Sequence, residues 1–348
     1  MALVASGCDA GHQDNAQTQV APINIVATNV SPSQPLVAGA PIEISFDRLL
    51  LPTSVTRQSF AVQDVMGNFL EPDPSYDPVA RVVRLCVTLS VDQSYKLTIL
   101  SPQSATDMTG LRAIDGAQLD PSQTASYTFP VVTGPPYAGA DACPQGGGAG
   151  EDGGAAVAPS PIDFCSQVLP IFSSKCGTSV CHAGSLPAEG LQLTTGQGIL
   201  ATAIGRASQE SNTGSRASVS QPQAGGLFGV DMAIVAAADP GDSWVLYKML
   251  MAVPPPCSSV PGSAEACGED AGADAGVANP HDVPWTPLSD GERSTLAGII
   301  PGREMPFPVD PSASLGDSTN TAANLTVDEL ETVSLWIQQG ATVTSCGQ

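Results

Sequence analysis

Positive charge is scarce in this chain. Its 348 residues include 12 lysines and arginines against 34 aspartates and glutamates, for a formal charge of −22. A surface of that sign repels nucleic acid phosphates and anionic lipid headgroups, which sets both aside as partners. Histidine is scarcer still, with three residues, and aromatics make up only 5%. A Ser/His/Asp constellation would have to recruit His182, already placed against a cysteine, or one of two loop histidines, and nothing favours that. Zinc is disfavoured too, because no C-x-x-C or H-x-x-x-H pair exists to complete a tetrahedral set. No run of about 18 apolar residues occurs, so the sequence holds no membrane-spanning helix.

Glycine (35), proline (31) and cysteine (9) are plentiful by contrast. Six cysteines stand singly, at Cys86, Cys143, Cys165, Cys257, Cys267 and Cys346. Scattered cysteines in an acidic, Pro/Gly-rich chain point to disulfides and an extracytoplasmic address. At the start, "MALVASGCDAG" resembles the lipobox of a bacterial lipoprotein. That resemblance implies a lipidated Cys8, with residues 1–21 as a truncated signal and anchor tether. The location implied is periplasm, outer membrane or cell surface, touching the membrane only through the lipid.

Residues 22–133 read as all-β. "INIVATNV", "APIEISF", "SFAVQD", "VARVVRLCV", "SYKLTIL" and "ASYTFPVV" are strand-like runs between turn signals. Ile42, Ile44 and Phe46 alternate, as do Val83, Leu85 and Val87, and Tyr95, Leu97 and Ile99. Alternation puts one face on a core and the other in water, as in a two-sheet sandwich. The stretch from "VSPSQPLVAGAPIEISF" through "TDMTGLRAIDG" resembles the bacterial Ig-like domains of the SbsA type, which implies a spacer or adhesion module. Residues 134–160 form a Gly/Ala/Pro linker too poor in apolar area to fold alone. Cys143 within it and Cys86 at the sandwich are candidate disulfide partners.

From 161 the pattern turns helical. Ile162, Cys165, Val168, Leu169 and Phe172 form a stripe that Pro170 should kink or shorten. "GDSWVLYKMLM" reads as a helix capped by Asp242 or Ser243. Two capping boxes follow, Ser289 with Glu292 and Thr326 with Glu329, and Gly340 is a left-handed stop. Residues 254–287 form a Pro/Gly/Ala-rich insertion in which Cys257 and Cys267 are expected to pair. His12 and His281 read as solvated loop residues, and Met232, Met249 and Met251 as core filler.

"SSKCGTSVCHAGS" carries the chemistry. Cys176 and Cys181 followed directly by His182 allow two thioethers to porphyrin vinyl groups and an imidazole on the iron from one turn. The usual spacer is two residues; here it is four, Gly177 to Val180. The same pair also suits a small-loop disulfide, which would leave a haem-free surface or binding protein. Residues 161–348 resemble class-I-like cytochrome c domains through "VLPIFSSKCGTSVCHAGSLPAEGLQLTT", "ADPGDSWVLYKML", "EMPFP" and "LTVDELETVSLWIQQGA". That resemblance implies one covalent haem c on Cys176 and Cys181, with His182 and Met305 as axial ligands. It implies an electron carrier rather than an enzyme, with a redox protein as partner; a peroxidase arises only if Met305 leaves the iron open. It also implies that the first and last helices cross, which brings Cys165 to Cys346. The fold class expected is therefore multidomain: an all-β Ig-like sandwich, then a mainly α cytochrome c-like domain.

Overall fold

The alternating runs of the first 133 residues do pair into two sheets. The computed structural model describes residues 21–102, 109–120, 126–134, 143, 161–177, 182–208, 228, 232–252, 279–300, 305 and 325–346. One sheet has four strands in the order β1 (Ile25–Thr28), β3 (Ile42–Phe46), β7 (Val82–Cys86), β6 (Asp73–Asp77). The other has five, in the order β2 (Leu36–Val37), β9 (Ser126–Val132), β8 (Ser94–Ile99), β4 (Phe60–Asp64), β5 (Phe69–Leu70). All ladders are antiparallel except β2 with β9, where Leu36 pairs Val131 in parallel. All six strand-like runs hold a strand. Three others escaped notice: β2 and β5 are two residues each, and β6 is "DPSYD", whose Pro and Asp read as a turn. An edge strand tolerates proline because its outward N–H has no ladder partner.

The five-stranded sheet alternates as expected: Tyr95, Leu97 and Ile99 are buried while Lys96 between them is exposed. The four-stranded sheet does not. All five residues of β3 are buried, including Glu43 and Ser45 on the face assigned to water. The reason is the helical half, which packs on that face; Pro280, residues 283–286 and Glu331 lie over Glu43, Val82 and Arg84.

Among the described residues that half holds five helices and two single 3-10 turns, Ala188–Gly190 and Pro280–Asp282. Helix α1 comprises Phe164–Val168, Leu169–Ile171 and Phe172–Cys176, the outer two segments being wide π-type turns. Pro170 lies in the middle segment; without an N–H it cannot donate to the preceding turn, and widened turns flank it. The widening also rotates the buried face to Phe164, Val168, Ile171, Phe172 and Cys176, leaving Cys165 and Leu169 of the expected stripe only partly buried. The others are α2 (Gly196–Thr202), α3 (Trp244–Met251), α4 (Asp290–Ile299) and α5 (Val327–Gln338). Both capping boxes form, and Gly340 takes φ 97° beyond α5. Ser243 is the N-cap of α3 but makes no capping bond; its hydroxyl binds the backbone of Ala236 and Asp239 instead. No helix among the described residues is long and apolar enough to cross a membrane.

The two halves share one apolar cluster, running from the sandwich through Tyr76 and Leu49 to Tyr247, Leu296 and Trp336. Polar groups at the seam are paired. Glu292 of α4 accepts from Leu49 N (2.7 Å) and faces Arg81 Nη2 at 3.1 Å, both side chains being under one-tenth exposed. Arg81 also donates to the carbonyls of Asp47 and Pro287. Arg84 pairs with Glu43 at 3.1 Å, and Ser334 of α5 donates to Asp77 Oδ1 at 2.8 Å. Gly241 lies so close to β6 that an added Cβ would sit 3.0 Å from the Tyr76 carbonyl oxygen. Next to it, burial and then the charge of Asp239 push the Asp242 carboxyl up to about 6.

Two outcomes follow from the seam. Glu292→Ala strands a buried guanidinium and should cost about 3–5 kcal/mol, read as a lower urea midpoint at unchanged slope; a loss below about 1 kcal/mol would mark the pair as energetically exposed. Asp242 binds its proton more tightly folded than unfolded, so its contribution to stability falls as pH rises from about 4 to about 6. Asp242→Asn should therefore raise Tm at about pH 7.5, with the gain shrinking to nothing by about pH 4.

Candidate functional site

Helix α1 ends at Cys176, and Gly177 caps it by donating to the Phe172 carbonyl at 2.8 Å. The chain returns at His182, whose N–H donates to Cys176 O (3.2 Å) and whose carbonyl accepts from Leu193 N (3.0 Å). The loop between them turns through left-handed residues Gly184, Glu189 and Gly190. That turn brings the Ala188 carbonyl to 3.2 Å from His182 Nδ1. A carbonyl only accepts, so the bond assigns the proton to Nδ1 and leaves the Nε2 lone pair pointing away from the loop.

What Nε2 faces is Met305. Its sulfur lies 3.4 Å from Nε2, and the imidazole is only 3% exposed. Met305 arrives from elsewhere in the sequence and is held by its N–H, which donates to Lys248 O at 3.0 Å. That carbonyl is one of the last four of α3, which have no acceptor role within the helix. Histidine and methionine are thus brought together across 123 positions by two independent backbone anchors.

The two side chains share the wall of a cavity of about 440 Å³. Cys176, Leu193, Ile234, Trp244 and Met249 supply apolar wall, and Glu189, Arg206 and Lys248 the charge. Cys176 is buried and belongs to neither disulfide described here. Among the described residues, no three His, Cys, Asp or Glu side chains gather where they could hold a metal ion. The candidate ligand set is of another kind, one imidazole and one thioether, with the Cys176 thiol on the same wall.

Of the residues singled out in the sequence, Cys176, His182 and Met305 meet at this cavity. Cys181 lies outside the described residues, as do Cys8, His12, Cys257 and Cys267. Cys86 is bonded to Cys143 and Cys165 to Cys346, with Cα separations of 5.3 and 5.4 Å. Met232 and Met251 are buried in the core, whereas Met249, also buried, lines the cavity. Trp244, Lys248 and Arg206 were not anticipated. The one available signal was Lys248, a lone charge inside the apolar run "WVLYKMLM".

Comparison with known proteins adds little. No family model matches the chain, and no curated protein matches it. Among solved structures the chain is similar to a crystal structure of the S-layer protein SbsC, at TM-score 0.25 and 11% identity over 34% of this chain and 15% of that one. A crystal structure of the N-terminal part of SbsC gives TM-score 0.24 and 10% identity, covering 34% and 25%. A structure of SbsC domains 1–6 gives 0.25 and 11%, covering 34% and 15%. This chain thus spans a quarter or less of each. Scores this low establish no common fold and assign no function.

Gly177 has a testable role at the site. A Cβ there would run into Thr194 Cγ2 and lie 2.8 Å from Ser173 O. Gly177→Ala should cost about 1–3 kcal/mol by overpacking, seen as a lowered Tm; an unchanged Tm would mean the turn after Cys176 has room to shift.

Proposed function

We propose that this chain carries one covalently attached haem c and acts as an electron carrier rather than an enzyme. The observation that carries the reading is the His182 Nε2 lone pair facing Met305 Sδ at 3.4 Å on the wall of an apolar cavity that also holds Cys176. An imidazole nitrogen and a thioether sulfur are the iron ligands of c-type electron-transfer haems, and from 3.4 Å the two atoms would have to part by about 1 Å to take an iron between them. A large flat apolar group fits walls made of Leu193, Ile234 and Trp244. Cys176 and Cys181 would hold it through thioethers, and His182 and Met305 would bind its iron. When bound, the haem supplies a one-electron couple whose potential the thioether raises.

The chain's own part is to position and to shield. The Ala188 carbonyl fixes the imidazole tautomer, as hydrogen-bonded second partners do for metal-ligating histidines. Lys248 O keeps Met305 in place. If His182 and Met305 both bound the iron, the haem would keep no open position for catalysis, and on that basis we assign no enzymatic activity. The helical half is then a cytochrome c-like domain and the sandwich an Ig-like spacer. Two disulfides support an address outside the cytoplasm, where such bonds persist. Anchoring through Cys8, and a redox protein as partner, belong to the same proposal.

The test is expression with a periplasmic haem-attachment system. The purified protein should show a Soret band and keep haem stain through a denaturing gel; His182→Ala should abolish the band, and Met305→Ala should alter its spectrum. A folded product with neither signal, and with Cys176 linked to Cys181 by mass spectrometry, overturns the reading in favour of a haem-free surface protein.

A further inference from the structure

A smaller cavity, of about 120 Å³, lies at the seam and shares no wall residue with the one that holds His182 and Met305. Glu43, Val82 and Arg84 of the sheet form one side, and Val283, Pro284 and Trp285 the other. Thr286 and Glu331, both exposed, stand at its mouth. The Nε1–H of Trp285 is buried there with no acceptor. Buried donors are nearly always paired, so an orphan asks for a partner that the polypeptide does not supply. Ser45 Oγ, also buried and orphaned, stands opposite Val82 of the same wall in the β3–β7 ladder.

Charge decides what that partner is. Both wall cations are engaged, Arg84 by Glu43 and Arg81 by Glu292 and two carbonyls. An anion would find no open cation and would meet Glu331, whose carboxyl is raised by burial and then by the charges of Asp328 and Asp77. A metal or ammonium cation would meet two buried guanidinium groups and, having nothing to accept with, would leave the indole N–H unsatisfied. A neutral hydroxylated molecule meets both demands, because a hydroxyl oxygen accepts and its hydrogen is donated. Ligand pockets that enclose a whole molecule are several times larger, so this one admits an edge of its ligand.

We propose that the seam cavity binds a neutral sugar by a diol edge, one hydroxyl accepting from the Trp285 indole N–H and its neighbour donating to the Glu331 carboxylate. The C–H face of a sugar ring also suits the apolar wall of Val283, Pro284 and the indole. The site is independent of the haem reading.

The test follows the indole N–H signals of the isotope-labelled full chain by NMR while D-glucose, D-galactose or N-acetyl-D-glucosamine is added to about 100 mM, beyond the millimolar affinity expected of a few neutral hydrogen bonds. The chain has three tryptophans, and Trp285→Phe assigns the signal concerned. With at least one sugar that signal should move and saturate, while that of Trp336, whose indole donates to Thr342 O at 2.9 Å, should stay. Measured on the sugar's own signals, affinity should fall about three- to tenfold in Trp285→Phe and in Glu331→Gln. Glu331 is exposed, so its variant decides the matter should Trp285→Phe fail to fold, which a melting curve would reveal. A Trp285 signal that none of the three sugars moves overturns the proposal and leaves water as the indole's partner. Binding that both variants leave unchanged overturns it too, since the sugar then sits elsewhere.

Discussion

Glu292 fixes how the two halves meet. One carboxylate completes the cap of α4, accepts the Leu49 N–H and faces the Arg81 guanidinium. A buried pair of this kind adds little net stability, since desolvation offsets most of the attraction. Its importance lies in the alternative: any other docking leaves two charges and a backbone N–H buried without partners, at a cost of several kcal/mol. The outer face of the four-stranded sheet depends on the same fit. Glu43, Arg84 and Asp77 are tolerable under the helices because Arg84 joins both acids, while Ser334 and the Val79 and Ala80 N–H groups donate to Asp77.

The cavity inherits that register. Helix α3 begins just after Gly241, which is pressed against β6, and its far end holds Met305. Helix α1 is fixed from the other side, with Phe164 and Phe172 packed on Trp336 at ring separations of 5.8 and 6.0 Å. Imidazole and thioether thus come from elements anchored separately, one on α5 and one on the sandwich seam. The fold itself, rather than one local segment, therefore brings the two side chains together.

Much of this was legible in the residues. Strand alternation, both capping boxes and the left-handed stop at Gly340 are local signals, and local signals survive into the fold. The cysteine–histidine segment and Met305 were legible as chemistry, and their convergence was implied only by resemblance. What stayed hidden was long-range. Glu43, Ser45 and Arg84 alternate with apolar residues as solvent-facing positions do, and nothing near them in sequence announces a covering layer. Glu292 reads as a cap and is one, but its second role needs Arg81, 211 positions away. The rotation of α1 follows from π-type turns around Pro170, which a period of 3.6 does not foresee. Lys248 stands out as a lone charge in an apolar run, but only the fold puts it at a cavity.

The bond between Cys165 and Cys346 has a mechanical consequence. It joins the first helix of the helical half to the segment just past the last, 181 positions apart, with Cα atoms 5.4 Å from one another. Tension entering ahead of residue 165 and leaving beyond 346 runs through the sulfur bridge and bypasses everything between. The cavity and its two facing side chains therefore sit on an unloaded branch, outside the line along which the polypeptide would be pulled.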